Sequence, residues 1–293
     1  MQPWPTNAGG RWAIRHVTTY RYSVPVAFAT HVLRLTPRPD RVRCLARKLQ
    51  VTPTPLGVTD FIDTFGNSCT RLDFDAGRFQ ELVIDSHVEV DTAAPAHDLR
   101  PNLPSLPWLA SGQTDELAPF RERDDSPQVV SLAQTLSADV GYEPLAFFER
   151  LCSNLYSNTD RQLRLEGAAQ TPAETLATGR GACRDLTVVF LAVCRALGVA
   201  ARFVSGYQGQ EQSPDGKRHL HAWPEVFVPE LGWRGYDPTH GVHAGPAHVA
   251  LCAAPNQAGT MPVEGGFFFN GATVTSTLEY SISLDPLPPP RRG

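Results

Sequence analysis

A proline-rich segment divides this 293-residue chain into two parts with different patterns. The prolines of this segment stand at positions 95, 101, 104, 107, 119 and 127. Because proline lacks a backbone N–H and fixes φ, neither a long helix nor a central strand is expected there. We therefore predict a linker at 93–128, between an N-terminal domain at 1–92 and a second domain at 129–284. The last residues, 285–293, contain PLPPP and are predicted to form an extended tail.

The N-terminal domain has the pattern of β-structure. Alternating residues rich in β-branched side chains occur at 11–22, 43–51, 69–75 and 81–90. Turn sequences separate these runs, namely TPRPD (36–40), TPTPLG (52–57) and FGN (65–67). Several short strands joined by regular turns predict a β-sandwich.

The second domain begins with helices and continues with strands. Helical patterns cover 129–140, 144–156, 172–179 and 184–197. Strands are expected near 200–208, 220–228, 233–237 and 247–252, with more toward 284. The whole chain is therefore expected to belong to the α+β class.

The helix at 184–197 carries the first candidate for chemistry. Counted from Cys183, an apolar stripe falls on one helical face at Leu186, Phe190, Val193, Cys194 and Leu197. Cys194 lies within the stripe and is interpreted as a core residue. Cys183 begins the helix after GRGA, where unpaired N–H groups and the helix dipole favour a thiolate and could hold an oxyanion. A small, tolerated residue at a helix start is the alternative reading.

A nucleophilic cysteine needs a base and a group that orients the base. The sequence HAWPEVFV (221–228), the turn PELG and GWRGYDP (232–238) together predict a β-hairpin. A three-residue loop would place Asp237 opposite Trp223, on the face of His221 and diagonal to it. A loop of two or four residues would instead turn Asp237 to the other face.

These blocks resemble the bacterial transglutaminase-like superfamily of papain-type cysteine enzymes. The resemblance rests on residues 179–207 and 219–241, on YRYSVPV, HVLRLTPRP, DTFGN and SHVEV in the N-terminal domain, and on residues 248–272. It implies an N-terminal β-sandwich followed by a papain-like core, in which a cysteine helix packs on an antiparallel sheet. It also implies Cys183 as the nucleophile, His221 as the general base and Asp237 as the residue that orients the imidazole.

The chain departs from the family pattern at four places that bear on substrate preference. Arg184 stands where the family usually has Gln, Val188 where it often has His, and His240 where it usually has Asn. Residues 253–257, AAPNQ, replace the usual GRDY. Candidates for substrate contact are Tyr156, Tyr207 and Trp223.

The resemblance implies an enzyme that cleaves an amide through a thioester, and hydrolysis of a peptide or protein substrate is the preferred reading. Transfer of the acyl group to an amine and a non-catalytic binding module are the alternatives. The histidine spacings match no fixed ligand pattern, so no metal site is predicted, and no cofactor is implied. A net charge of −4 indicates no nucleic-acid partner, and no membrane segment is seen. Six scattered cysteines without a CxxC pair favour the reducing cytoplasm.

Overall fold

The computed structural model describes residues 10–40, 42–92, 101–108, 115–209, 215–271 and 273–288. The N-terminal part consists of antiparallel strands. They are β1 (Gly10–Phe28), β2 (His31–Leu33), β3 (Val42–Thr52), β4 (Gly57–Ile62), β5 (Ser68–Asp73) and β6 (Phe79–Thr92). The four N-terminal strands predicted from the sequence correspond to β1, β3, β5 and β6, while β2 and β4 are additional.

Helices and a short parallel strand pair follow. After a 3-10 helix (Asp115–Arg121) come α1 (Pro127–Asp139), α2 (Pro144–Asn158), β7 (Asp160–Arg161), α3 (Pro172–Thr178), β8 (Arg180–Gly181) and α4 (Cys183–Ala196). The predicted helices are confirmed with shifts of one or two residues at their ends. In the described part of the chain, no helix is both long and apolar enough to cross a membrane.

The remaining strands complete three antiparallel sheets. They are β9 (Ala201–Gln208), β10 (His221–Val228), β11 (Gly232–Asp237), β12 (Val242–His243), β13 (His248–Ala254), β14 (Val263–Glu264), β15 (Phe267–Phe268) and β16 (Ser276–Pro286), with a 3-10 helix at Gln257–Thr260 before β14. One sheet has the order β15-β1-β6-β3, and β16 also pairs with β1. The second has the order β14-β2-β5-β4, and the third, the central sheet, has the order β12-β11-β10-β9-β13.

The last strands of the chain join the N-terminal sheets. Strand β14 pairs with β2, β15 pairs with β1, and β16 runs along β1 from Trp12 opposite Pro286 to Tyr22 opposite Ser276. The sequence prediction placed residues up to 284 in the second domain and began a tail at 285. In the structure the chain instead returns to the first domain after β13, and Asp285 and Pro286 lie within β16.

The central sheet is covered on both faces. Every residue of β9 and of β13 is buried, rather than every second one. One apolar cluster joins α1, α2 and α4 to β9, β10 and β11. A second cluster joins both N-terminal sheets to β9 and β13. The N-terminal β-sandwich and the helices therefore hold the central sheet between them, and the predicted α+β class is confirmed.

A buried asparagine connects the N-terminal domain to the central sheet. The Asn67 amide donates to the Ala253 carbonyl at 3.0 Å and accepts from the Ala253 N–H at 2.8 Å. Asn67 is fully buried, and the Asp63 carboxylate accepts from both its side-chain amide and its backbone N–H. The side chain therefore pairs with β13 as another peptide group would.

Part of the predicted linker packs into the core. Leu106 and Trp108 are buried in the helical cluster, and the backbone N–H of Trp108 donates to the Leu197 carbonyl at 2.9 Å. Gly198 has a φ of +79°, and a Cβ there would lie 1.9 Å from the Trp108 carbonyl oxygen. The close approach thus requires glycine. The segment was predicted only as a linker, but two large apolar side chains next to its prolines anchor part of it in the core.

Candidate active site

The site is built on the first turn of α4, where the sequence changes from a turn to an amphipathic helix. Ala182 caps the helix in an extended conformation and Cys183 is its first residue. The predicted stripe is buried in the structure, and the Cys183 side chain is partly buried at its end. The N–H of Cys183 has no partner within the helix, because the first four N–H groups of a helix have none.

A buried carboxylate orders this helix start. Asp185 is fully buried, and its side chain accepts from the Ala182 N–H and the Gln170 N–H, each at 2.7 Å. It also accepts from the Arg164 guanidinium. Sequence reasoning missed Asp185, although an acidic residue three positions after a helix cap is a recognisable signal. By taking these N–H groups it fixes the turn that presents Cys183.

The hairpin of β10 and β11 has the three-residue register. Glu225 lies opposite Gly235, and Val228 opposite Gly232, which leaves residues 229–231 as the loop. Extended by two positions, this register places Asp237 opposite Trp223, diagonal to His221. Glu230 has a φ of 67° within the loop. Of the registers considered from the sequence, the structure therefore adopts the one that permits contact.

Cys183, His221 and Asp237 are brought together. The Nε2 atom of His221 lies 2.8 Å from Oδ2 of Asp237, and the His221 imidazole is near enough to the Cys183 thiol to lower its pKa. Since Nε2 is used by Asp237, Nδ1 is the ring nitrogen left for the sulfur. His221 and Asp237 are both buried, so the carboxylate and the imidazole interact with little screening by water.

Their ionisation is strongly coupled. Burial by itself would raise the pKa of the Cys183 thiol, but the hydrogen bond and charge of His221 and the Ala222 N–H lower it. Although burial opposes it, the Asp237 carboxylate raises the pKa of His221 to about 10. Burial likewise disfavours the Asp237 carboxylate, yet His221 and its neighbours hold the pKa of Asp237 well below its usual range. The lowered pKa of Cys183 and the raised pKa of His221 together favour a thiolate beside an imidazolium over a neutral thiol beside a neutral imidazole.

The five other cysteines show the opposite shift. Burial raises the pKa of each thiol, at Cys44, Cys69, Cys152, Cys194 and Cys252. All six cysteines are free thiols. Among them, only Cys183 combines partial exposure with a stabilised thiolate, which is the environment of a reactive cysteine.

Asp237 binds more than one histidine. Its Oδ2 atom lies 2.8 Å from Nδ1 of His240 and 2.9 Å from Nε2 of His248, in addition to His221. Its Oδ1 atom accepts from the Thr239 N–H at 3.0 Å. Three imidazoles therefore converge on one carboxylate oxygen. The sequence showed these histidines only as a cluster within thirty residues.

Two family profiles match this chain. Residues 12–91 match the bacterial transglutaminase-like N-terminal region, and residues 130–238 match the transglutaminase-like superfamily. Together the matched segments span more than half of the chain, and the second one includes Cys183, His221 and Asp237. The chain belongs to the transglutaminase-like superfamily.

Several relatives of this superfamily member are similar along its whole length. An uncharacterised protein of Mycobacterium tuberculosis is 27% identical over 300 residues, which cover 96% of this chain and 95% of the relative. A protein-glutamine gamma-glutamyltransferase of Pseudomonas aeruginosa is 42% identical over 71 residues, which cover 22% of this chain and 11% of that protein.

A solved structure shares the fold. It is that of a protein proposed to be a cysteine protease, from Cytophaga hutchinsonii, with a TM-score of 0.72 and 19% identity. The match covers 97% of this chain and 92% of that one. The predicted N-terminal β domain followed by a transglutaminase-like core is thereby confirmed.

The three candidate substrate-contact residues lie in different environments. Tyr156 is 40% exposed, and its ring packs on Gly241, the residue after His240. A Cβ added at Gly241 would lie 2.8 Å from that ring. Tyr207 is 1% exposed and its hydroxyl pairs with Nδ1 of His16 at 3.0 Å, in the core shared with the N-terminal domain. Trp223 is also 1% exposed, and its ring stacks on the His221 ring with centroids 6.0 Å apart.

These placements change two of the candidates. A buried tyrosine already paired with His16 offers no surface to a substrate, so Tyr207 is corrected to a residue of the domain interface. Trp223 is corrected to packing that supports the His221 ring. Tyr156 stays a candidate for substrate contact, because its exposed ring lies beside the loop that carries His240.

The departures from the superfamily pattern do not all lie at the cleft. Arg184 donates to the Arg164 carbonyl at 2.6 Å and to the Glu166 carbonyl, which fixes the 162–169 loop to the start of α4. His240 binds Asp237 directly. Val188 is partly buried and packs against the helical core. Within 253–257, Ala253 pairs with Asn67 and so contributes to the domain interface.

His221, Asp237 and His240 also have the geometry to hold a metal ion. Atoms of His221, Asp237 and His240 lie within 4.8 Å of one another. The same atoms form direct imidazole–carboxylate hydrogen bonds of 2.8 Å. A metal there would compete with these hydrogen bonds for both imidazoles. We therefore interpret His221 and Asp237 as members of the triad, with His240 as a further hydrogen-bond partner of Asp237.

Proposed function

We propose that this superfamily member is a cysteine-dependent amide hydrolase of peptides or proteins, with Cys183 as nucleophile, His221 as acid and base, and Asp237 as the orienting group. The observation that carries the proposal is the position of the His221 imidazole, which hydrogen-bonds Asp237 at 2.8 Å and lowers the pKa of the Cys183 thiol, whereas burial raises the pKa of the five other thiols. No other cysteine has an imidazole among the groups that shift its pKa.

In the first step the Cys183 thiolate attacks the amide carbonyl carbon and a carbon–sulfur bond forms. The N–H of Cys183, at the positive end of α4, is placed to bind the oxyanion that develops. The His221 imidazolium then gives its proton to the leaving nitrogen. The carbon–nitrogen bond breaks, and a thioester and a free amine remain.

In the second step water resolves the thioester. His221, now neutral, takes a proton from the attacking water while the new carbon–oxygen bond forms. The carbon–sulfur bond breaks, and the product carboxylic acid leaves. The thiolate and the imidazolium are restored, and Asp237 stabilises the imidazolium at both stages.

Amine transfer is the second candidate. The same thioester would be attacked by a primary amine instead of water, which yields a new amide. The observation in favour is the 42% identity to a protein-glutamine gamma-glutamyltransferase over 71 residues. The two candidates share every residue and differ only in the acceptor.

The first experiment measures the alkylation rate of each cysteine with iodoacetamide, read by mass spectrometry between pH 5 and 9. We expect Cys183 to react far faster than exposed Cys44 at pH 6, and His221→Ala to abolish that advantage. His219→Ala is the matched control, because His219 bonds Asp215 and Tyr280 away from the cluster. If Cys183 also stays silent toward the smaller methyl methanethiosulfonate, the enzyme proposal fails and a binding module becomes the better reading.

A second experiment distinguishes the acceptors. Glutamine-containing peptides are incubated with the protein, with and without dansylcadaverine. Products with a free carboxylate in both mixtures support hydrolysis. Incorporation of the fluorescent amine at the expense of the acid supports transfer. Cys183→Ser should remove both products.

A further inference from the structure

The third histidine on Asp237 comes from a different part of the fold. His248 is the first residue of β13, on the far side of β9 from β10. Its side chain is 2% exposed, and Nε2 lies 2.9 Å from Oδ2 of Asp237. Its ring also packs edge-on against Trp223, with centroids 5.2 Å apart.

The hydrogen bonds of His248 fix its tautomer. The Gly245 N–H donates to Nδ1 at 3.2 Å, so that this nitrogen must be the unprotonated acceptor. A neutral ring then carries its proton on Nε2 and donates it to Asp237. Burial lowers the pKa of His248 despite the hydrogen bond to Asp237, which agrees with a neutral ring.

The charged and titratable groups around His248 favour this assignment. Asp237, His221 and His240 face it across the carboxylate. The imidazolium of His221 disfavours a second positive charge so close by. The neutral ring is therefore the form of His248 that suits both Asp237 and the imidazolium of His221. Its Nε2–H can donate to the Asp237 carboxylate, whose negative charge remains available to stabilise the imidazolium.

We propose that His248 is a positioning residue, which holds the Asp237 carboxylate in the orientation that His221 requires. The inference rests on the proposed function, because it concerns how the same triad is held. Oδ1 of Asp237 accepts from the Thr239 N–H of its own loop, while Oδ2 bonds His240 from that loop and His248 from β13. Without His248, the carboxylate loses its anchor to the interior of the sheet.

Two substitutions test the role. His248→Gln keeps an N–H donor near the position of Nε2, whereas His248→Leu keeps the volume and removes the donor. We expect His248→Leu to slow Cys183 alkylation at pH 6 by roughly tenfold, which is typical when the partner that orients a functional side chain is lost. The acid limb of the plot of alkylation rate against pH should also move to higher pH. His248→Gln should stay within about threefold of wild type.

The outcomes separate this inference from the proposed function. If wild-type Cys183 is not activated, the proposed function fails whatever His248 does. If wild type is activated but His248→Leu reacts like wild type, the positioning role is overturned. Equal loss in the Leu and Gln variants also overturns it, because packing alone would then explain both.

A direct measurement covers the case in which His248→Leu does not fold. Long-range ¹H–¹⁵N spectra of the wild-type protein report which imidazole nitrogen carries the proton. We expect His248 to remain neutral and protonated on Nε2 from pH 6.5 to 8, because burial lowers its pKa below 6.5. A signal from the Nδ1–H tautomer or from an imidazolium would overturn the inference without any assay of activity.

Discussion

Nε2 of His221 and Oδ2 of Asp237 lie 2.8 Å apart, although the two residues are sixteen positions apart in the chain. The contact exists because the loop of the β10–β11 hairpin has three residues, which turns both side chains to one face. The lowered pKa of the Cys183 thiol depends on the charge of His221, and the Asp237 contact raises the pKa of that imidazole to about 10.

Replacing Asp237 by Asn should therefore make the Cys183 thiol less reactive. An amide cannot stabilise the imidazolium by charge, and its NH₂ group would face imidazole N–H donors. We expect the alkylation rate of Cys183 at pH 6 to fall at least tenfold, and the free energy of unfolding to fall by about 1–3 kcal/mol. Asp160→Asn, at an exposed ion pair with Arg180, is the control and should change neither quantity.

The Cys183–His221 pair should also affect how stability depends on pH. In the folded protein the pKa of His221 is raised from 6.5 to about 10, and the pKa of Cys183 is lowered from 9.0. The stabilisation from His221 is complete below pH 6.5 and is lost as the pH rises toward about 10, whereas the stabilisation from Cys183 is complete above pH 9.0 and is lost as the pH falls through its lowered pKa. The two contributions therefore oppose each other between pH 6.5 and 9.

Cys183→Ser breaks this balance. The folded-state pKa of His221 stays raised above 6.5 by Asp237, although by less than in the presence of the Cys183 thiolate. Its stabilising contribution is therefore complete below pH 6.5 and is lost as the pH rises through that raised pKa. Urea unfolding of this variant should show stability falling by at most about 1.4 kcal/mol per pH unit relative to wild type. Parallel profiles for wild type and variant between pH 7 and 9 would contradict the thiolate–imidazolium pair.

Arg184 should control the order of the 162–169 loop. Its guanidinium holds the carbonyls of Arg164 and Glu166, and glutamine is too short to reach both. We expect Arg184→Gln to raise hydrogen exchange in this loop by about tenfold, the effect of losing one to two hydrogen bonds. Arg180→Gln, at a side chain that is 65% exposed, is the control. Unchanged exchange in the loop would show that Arg164 and Asp185 suffice to hold it.

Asn67 should be among the polar residues that contribute most to stability. Truncation to Ala leaves the Ala253 N–H and carbonyl buried without their partner. The free energy of unfolding in urea should fall by about 2–4 kcal/mol. Asn158→Ala removes a single hydrogen bond at the exposed end of α2 and should cost less than about 1 kcal/mol. A similar small loss in both variants would argue against the peptide-like pairing.

The elements with strong periodicity are the ones that the sequence predicts well. The apolar stripe of α4 and the apolar run of β10 lie in elements that are buried at nearly every position, so the amino-acid pattern alone is enough to propose Cys183, His221 and Asp237 as a triad. Strands β4 and β16 are harder to predict, because most of their residues are exposed and no apolar alternation marks them.

The contacts that sequence reasoning missed are long-range. His248 meets Asp237 only because β13 pairs with β9, which in turn pairs with β10. The hydroxyl of Tyr207 finds His16 across the domain interface, 191 positions away. Local patterns carry no information about such pairings, so a buried tyrosine and a cleft tyrosine look alike.

The pairing of β1 with β16 also determines how the molecule responds to mechanical force. Trp12 lies opposite Pro286 in an antiparallel ladder, so the beginning of β1 and the end of β16 are side by side. A force that pulls these two ends apart loads the ladder one hydrogen bond at a time, as in a zipper. We infer that β16 peels away from Pro286 toward Ser276 before any strand that carries the triad bears the load.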